Sequence, residues 1–132
     1  MVFEESVVLS APFSDVLARV KASLAAEGFG TLTEIDVQAT LRDKIGKQMP
    51  RFVIVGACNP NLASRALDVA PQVGVLLPCN VVVREVEGAV QVEAMDPGVM
   101  ATLTGRDELR PIADEARRLI GSALARLSAF AA

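Results

Sequence analysis

The 132-residue chain carries 13 basic and 16 acidic residues and no His, which gives a net charge of −3. It has no Trp, no Tyr and five Phe, so the aromatic side chains that stack on bases are scarce. An acidic chain without a basic patch predicts no nucleic-acid partner and no anionic membrane surface as a partner.

The chain length limits the number of domains, and the cysteine content indicates the cellular compartment. Residues 1–132 fit a single domain that is long enough to bury a core. The acidic start, Met-Val-Phe-Glu-Glu, does not resemble a secretory signal. The longest uncharged segment, Val69–Val83, contains two prolines and is too short to span a bilayer. Two cysteines do not form a secreted disulfide framework, so we expect a cytoplasmic protein.

The chain begins with a predicted strand and helix. Val2–Leu9 is predicted as a strand, in which Val7 and Leu9 alternate with Ser6 and Val8. Pro12 suits the first turn of a helix and Gly28 suits its left-handed end. Between them lies an apolar stripe at helical spacing: Phe13, Val16, Leu17, Val20 and Leu24.

A second strand and a short helix follow. Over Thr31–Asp36, alternation predicts two faces, one with Thr31, Thr33 and Ile35 and the other with Leu32, Glu34 and Asp36. Asp36 also suits the N-cap of a helix that ends at Gly46. The apolar stripe of that helix is Val37, Leu41 and Ile45.

The middle of the chain reads as a buried strand, a helix and a hairpin. Arg51–Cys58 is almost continuously apolar, which predicts burial on both faces. Asn59-Pro60 is typical of a helix start, and the packed side of this helix is Leu62, Ala63, Ala66 and Leu67. Because proline cannot donate to a strand ladder, the next strand begins after Pro78, over Cys79–Val86. A turn at Glu87-Gly88 pairs it with Ala89–Met95.

The C-terminal part is helical. Asp96-Pro97 predicts one turn of helix, and a long amphipathic helix follows, with its stripe at Leu109, Ile112, Ala116, Leu119, Ile120, Ala123 and Leu127. The order predicts an α+β fold: strand, helix, four antiparallel strands with short helical insertions, then a helix, with the helices on one face of the sheet.

The second face of this sheet has no cover within so short a chain. Phe52–Val55 and Val81–Val83 are apolar on both faces. A twofold-related copy is the commonest way to bury such a face, so we expect a homodimer.

Several landmarks together resemble a known family. They are Gly28-Phe29-Gly30, Glu34-Ile35-Asp36, Lys44-Ile45-Gly46, Val55-Gly56-Ala57-Cys58-Asn59-Pro60, Leu76-Leu77-Pro78-Cys79-Asn80-Val81-Val82-Val83 and Asp96-Pro97. In this order they resemble the bacterial and archaeal family called domain of unknown function 302. The resemblance implies a fold similar to one half of the TATA-binding protein, commonly dimeric. It implies no activity, substrate or cofactor.

Residues that are absent exclude most standard catalytic sites. Without His the chain lacks Ser-His-Asp and Cys-His catalysis and the commonest metal ligand. Two cysteines could complete a four-thiolate zinc site only across a symmetric dimer, so no residue is assigned as a metal ligand. Met95 and Met100 are interpreted as core filler rather than a copper site.

The two Cys-Asn segments are the main candidate site. If Arg51–Cys58 pairs antiparallel with Cys79–Val86, both cysteines lie at the same end of the sheet, with the amide side chains that follow them. We therefore predict a ligand-binding cluster that could hold an anion or a soft metal, or cycle between dithiol and disulfide; its residues are Cys58, Asn59, Cys79 and Asn80. The alternative is that the cysteines only pack in the core, since free Cys is often buried.

A second candidate is the pair Glu34 and Asp36, with Lys44 within reach. Alternation places both carboxylates on one face, about 6.6 Å apart along the strand. They could divide acid and base roles or hold a hard cation. The alternative is a solvated rim with Asp36 occupied as a cap.

Two functional hypotheses remain at this point. One is a dimeric small-ligand binding or sensory module with a pocket near the Cys-Asn segments. The other is an enzyme of thiol or sulfur chemistry with Cys58 as its nucleophile. They differ in whether Cys58 must be ionised and reachable.

Overall fold

The protein folds around one antiparallel sheet. The computed structural model describes residues 6–129, so the start of the strand predicted from Val2 lies outside the described residues. The sheet has the order β1-β5-β4-β3-β2, and its strands are β1 (Val7–Leu9), β2 (Gly30–Asp36), β3 (Phe52–Cys58), β4 (Cys79–Val86) and β5 (Ala89–Ala94). The predicted α+β class is confirmed.

In the described part of the chain the sheet is accompanied by five α-helices: α1 (Phe13–Ala26), α2 (Val37–Ile45), α3 (Pro60–Val69), α4 (Val99–Thr104) and α5 (Arg110–Ser128). Short 3-10 helices cover Pro71–Leu76 and Asp107–Leu109. Among residues 6–129, no helix is both long and apolar enough to cross a bilayer.

Helices α1 and α5 pack together over one face of the sheet, which we call the covered face. The covered face is apolar and almost fully buried, and it includes Val53, Val55, Val81, Val83, Val90, Val92 and Ala94. The two helices are also joined by polar contacts. Ser23 Oγ donates to the carbonyl of Ala123 at 2.7 Å, and Arg126 Nη2 lies 2.8 Å from Glu27 Oε1. The predicted stripes of both helices therefore point into one core.

The opposite side of the sheet, which we call the open face, has no helix of residues 6–129 over its centre. Register and alternation place on it Val8, Phe52, Ile54, Gly56, Asn80, Val82, Arg84, Gln91 and Glu93. Arg84 Nε lies 2.6 Å from Glu93 Oε1, so the charged groups here form a pair. Val8 is 57% exposed, and Phe52 and Ile54 are only half-buried. Within one chain the open side of Arg51–Cys58 is therefore only partly buried, and the expected burial on both faces stays a prediction that needs a second copy.

A bulge in β2 shows that one of the predicted strand faces is wrong. Thr31 pairs with Ala57, whereas Thr33 pairs with Gly56, so Leu32 is the extra residue. Because a bulge shifts the alternation by one residue, Thr31 does not share a face with Thr33 and Ile35.

Two predicted helical stripes are less buried than expected. In α2 no residue is buried, and Ile45 is 71% exposed, because this helix lies beside the edge strand β2. In α3, Leu62 and Ala66 are buried but Leu67 is exposed. The caps themselves are as predicted, with Asp36 starting α2 and Asn59 starting α3.

Candidate functional site

The two cysteines lie at the same end of the sheet. In the antiparallel pairing of β3 with β4, Ala57 is opposite Cys79. Cys58 is the last residue of β3 and Cys79 is the first residue of β4. The geometry expected for this pair of strands is present, because Pro78 ends the preceding segment and lets the ladder begin at Cys79.

Both cysteines line one small cavity on the covered side of the sheet. Its volume is about 20 Å³. Most of its lining is hydrocarbon, from Phe29, Leu62 and Ile112 among others. Cys79 is buried and Cys58 is half-buried, and both are free thiols.

Asn59 also lines this cavity, but its side-chain amide already makes contacts within the protein. Its Oδ1 accepts a hydrogen bond from the backbone N–H of Leu62 at 3.3 Å, which caps α3. Its Nδ2 lies against Gly28, where a Cβ would come within 3.0 Å. Gly28 has φ +87°, so glycine serves both the left-handed turn after α1 and this close approach.

The environment of Cys79 keeps its sulfur protonated. Burial raises the pKa of the Cys79 thiol to about 11, and a negative charge on the nearby Cys58 raises it further in the same direction. Cys79 is therefore a neutral thiol at physiological pH.

Asn80 does not join the cysteines. It pairs with Gly56 and its exposed side chain lies on the open face, whereas Cys79 is buried on the covered face. Asn80 instead lines a groove of about 360 Å³ on the open face, together with Phe52, Leu76, Val82, Glu93, Ala94, Met95, Val99 and Leu103. The predicted four-residue cluster is thus divided between two sides of the sheet.

The acidic pair on β2 is occupied by structural contacts. Glu34 Oε1 lies 2.7 Å from Lys21 Nζ, and Asp36 Oδ1 accepts from the backbone N–H of Ala39 at 2.9 Å. Lys44 is exposed in the last turn of α2, so the lysine beside Glu34 is Lys21 and not the predicted one. These contacts match the solvated rim that was the alternative interpretation.

Two features were missed by the sequence reasoning. Met100 lines the cysteine cavity, and Phe52, Met95 and Leu103 line the groove on the open face. Asn80 and Val82 occupy alternate positions of β4, and this spacing would have indicated that they share one face of the strand. Met100 gave no such signal, because its place depends on how α4 packs.

Comparisons with known proteins agree on one family. The family described as "Domain of unknown function DUF302" matches residues 5–127. The crystal structure of an uncharacterized conserved DUF302 protein from Bacillus stearothermophilus is 29% identical, covers 92% of this chain and 95% of its own, and has a TM-score of 0.86. No match was found among curated proteins. The chain therefore belongs to the DUF302 family.

Proposed function

We propose that the protein is a homodimeric binding module for a small, mostly apolar ligand, and that the ligand occupies the groove beside Asn80 on the open face. The observation that supports this most directly is size. The groove has about 360 Å³, within the range of about 300–1,000 Å³ typical of ligand pockets.

The lining of the groove fits this class of ligand. It is mainly aliphatic, and Phe52 adds an aromatic side chain. Asn80 offers an exposed amide that can both donate and accept a hydrogen bond. Glu93 is held by Arg84, so its charge is neutralised within the protein rather than offered to a ligand. A ligand with one polar group and an apolar body would satisfy such a lining.

A second copy of the chain is the proposed cover for the part of the open face that lies outside the groove. There, Val8 and Ile35 are 57% and 46% exposed, and the half-buried Ile54 pairs with Ile35. Contiguous apolar surface of this kind is costly in water and is a common mark of an interface. Because the Arg84–Glu93 ion pair there is internal, two such faces can meet without leaving these charges unpaired.

The alternative of a thiol enzyme has less support. The cavity beside Cys58 has about 20 Å³, which admits a water-sized particle but no ordinary substrate. Within the part of the chain that the structure describes, the lining of this cavity includes no acidic or basic side chain that could act as a base. Cys79, its neighbour, is held as a neutral thiol.

The dye 8-anilinonaphthalene-1-sulfonate, which has an apolar body and one polar group, is a suitable probe of the groove. We expect saturable fluorescence enhancement with the folded protein. Asn80→Ala removes one hydrogen bond and should weaken binding about fivefold.

Asn61→Ala is the matched control, because Asn61 is an exposed amide on α3 outside the groove. It should leave the dye affinity unchanged. Dye binding that is not saturable, or that falls equally in both variants, would contradict the proposed site.

A further inference from the structure

The groove on the open face has a single charged side chain among the described residues that line it. That residue is Glu93, and apart from Asn80 the other lining residues are apolar. We propose that the ligand is an uncharged amphiphile whose polar group donates a hydrogen bond to Glu93, as an alcohol, an amide or a secondary amine can. This inference rests on the proposed function and adds a selectivity to it: carboxylates, sulfonates and phosphates are disfavoured.

The register of the β4–β5 hairpin places Glu93 on the same side of the sheet as Asn80. Glu93 pairs with Val82, and Asn80 lies two residues before Val82 in β4. Residues two apart in a strand point to the same face, so Asn80, Val82 and Glu93 all belong to the open face. Asn80 and Glu93 together form the polar part of the groove.

One carboxylate oxygen of Glu93 is bound within the protein and the other is available. Arg84 Nε donates to Glu93 Oε1 at 2.6 Å. Within the part of the chain that the structure describes, Oε2 accepts no hydrogen bond. Because a carboxylate accepts at both oxygens, a ligand can donate to Oε2 while the ion pair with Arg84 stays intact. The Glu93 side chain is only 24% exposed, which strengthens such a hydrogen bond relative to one in open water.

An anionic group would find no positive partner in this groove. Among residues 6–129, the lining contains no Lys and no Arg, and Arg84 is not part of it. The ligand therefore meets the carboxylate end of the Arg84–Glu93 pair. A carboxylate or sulfonate that entered the groove would lose water without a compensating charge, and this loss is costly.

A cationic group also fits less well than a neutral donor. Arg84 already brings a positive charge to Glu93, so a second cation would gain only part of the attraction that an unpaired carboxylate offers. It would also give up its hydration to enter an aliphatic lining. A neutral N–H or O–H loses less water and still forms a hydrogen bond to an ionised acceptor, which is stronger than one between two neutral groups.

Two dyes that differ by one group test this inference. N-phenyl-1-naphthylamine has the rings and the N–H of 8-anilinonaphthalene-1-sulfonate but lacks the sulfonate. Fluorescence titrations at neutral pH and constant salt give both dissociation constants, and their quotient, sulfonate dye over uncharged dye, is the selectivity ratio. For the native chain we expect a ratio of at least about ten.

Substitutions in the ion pair should move the selectivity ratio in opposite directions. Glu93→Gln removes the negative charge from the lining and leaves Arg84 without this partner, so the ratio should fall at least about fivefold. Arg84→Gln leaves the charge of Glu93 uncompensated, so the ratio should rise. A general loss of stability would not produce shifts of opposite sign.

Glu87→Gln is the matched control, because it removes the same charge from an exposed position in the turn between β4 and β5, outside the groove. Its ratio should equal that of the native chain. If neither dye binds saturably, the proposed function and this inference both fail. If both dyes bind saturably, the inference alone is overturned by a native ratio near one, by an unchanged ratio in Glu93→Gln, or by shifts of the same sign in Glu93→Gln and Arg84→Gln.

Discussion

Adjacent residues in one strand explain how the candidate site differs from its prediction. Cys58 and Cys79 share one end of the sheet, as the antiparallel pairing of apolar runs predicts. Asn80 is the next residue after Cys79, and consecutive strand residues point to opposite faces. The same alternation that predicted the strand therefore excludes Asn80 from the cysteine cavity. Met100 could not have been added from the sequence, because its place in the cavity lining depends on tertiary packing of a six-residue helix.

The raised pKa of Cys79 makes stability depend on alkaline pH. Its pKa is about 11 in the folded chain against 9.0 for an ordinary thiol. As the pH rises, the unfolded chain therefore loses this proton at a lower pH than the folded chain does. The stability that the protonated thiol contributes is complete below about pH 9 and is lost as the pH rises to about 11. We expect this group to lower the free energy of unfolding by about 2–3 kcal/mol across that window.

Urea denaturation of the reduced protein at several pH values from 8 to 11 measures this effect. Cys79→Ala removes the titrating group, so its stability should fall less steeply over the same window, whatever its stability at pH 8. Parallel curves for the two proteins would show that Cys79 does not titrate in this way.

At the scale of elements, sequence signals at the ends of helices and strands were the most reliable. Asp36, Asn59 and Pro78 each act through the backbone of their own segment, so their roles do not depend on distant residues. The β2 bulge differs from these signals because it involves a contact between two strands. It depends on Gly56 in the neighbouring strand, where a Cβ would overlap Thr33 Oγ1 and lie 2.8 Å from Pro78 Cγ. A single strand read alone cannot reveal such a contact.

Gly56→Ala tests this close packing between β2, β3 and the Pro78 turn. The added methyl must displace Thr33 and Pro78, so we expect a loss of about 1–3 kcal/mol in the free energy of unfolding. Gly30→Ala in β2 is the control, because a Cβ there meets nothing within 4 Å. Urea denaturation of both variants gives the comparison. Equal stability of the two would mean that the strands adjust without cost.

At the scale of the whole molecule, composition and element order were enough to predict the architecture. Alternating strands and helix stripes of the right lengths leave few ways to bury every apolar face, and the α+β arrangement with α1 and α5 on one face is one of them. The exposure of α2 and the half-burial of Phe52 and Ile54 were not predictable. They depend on which strands lie at the edge and which face is left open. The sequence of a single segment does not determine the strand order.

The open face leads to a prediction about assembly. If a second copy covers the part of it outside the groove, Ile54→Glu places a charge in the buried interface, so the protein should sediment as a monomer. Val75→Glu is the control, because Val75 is 88% exposed in the 3-10 helix and is not among the residues of the open face. Sedimentation velocity at micromolar concentration distinguishes the two. A native chain that sediments as a monomer would contradict the proposed dimer.

The opposite orientations of the Cys79 and Asn80 side chains also affect how the sequence of this protein can evolve. One peptide unit separates a side chain that faces the sealed interior from one that faces the groove, so a mutation at either position alters one compartment and spares the other. The packing around Cys79 and the specificity of the groove can thereby change separately, although the two residues are neighbours in the chain. A relative can exchange the asparagine for another polar residue while its thiols stay unchanged, or lose a thiol and keep its groove.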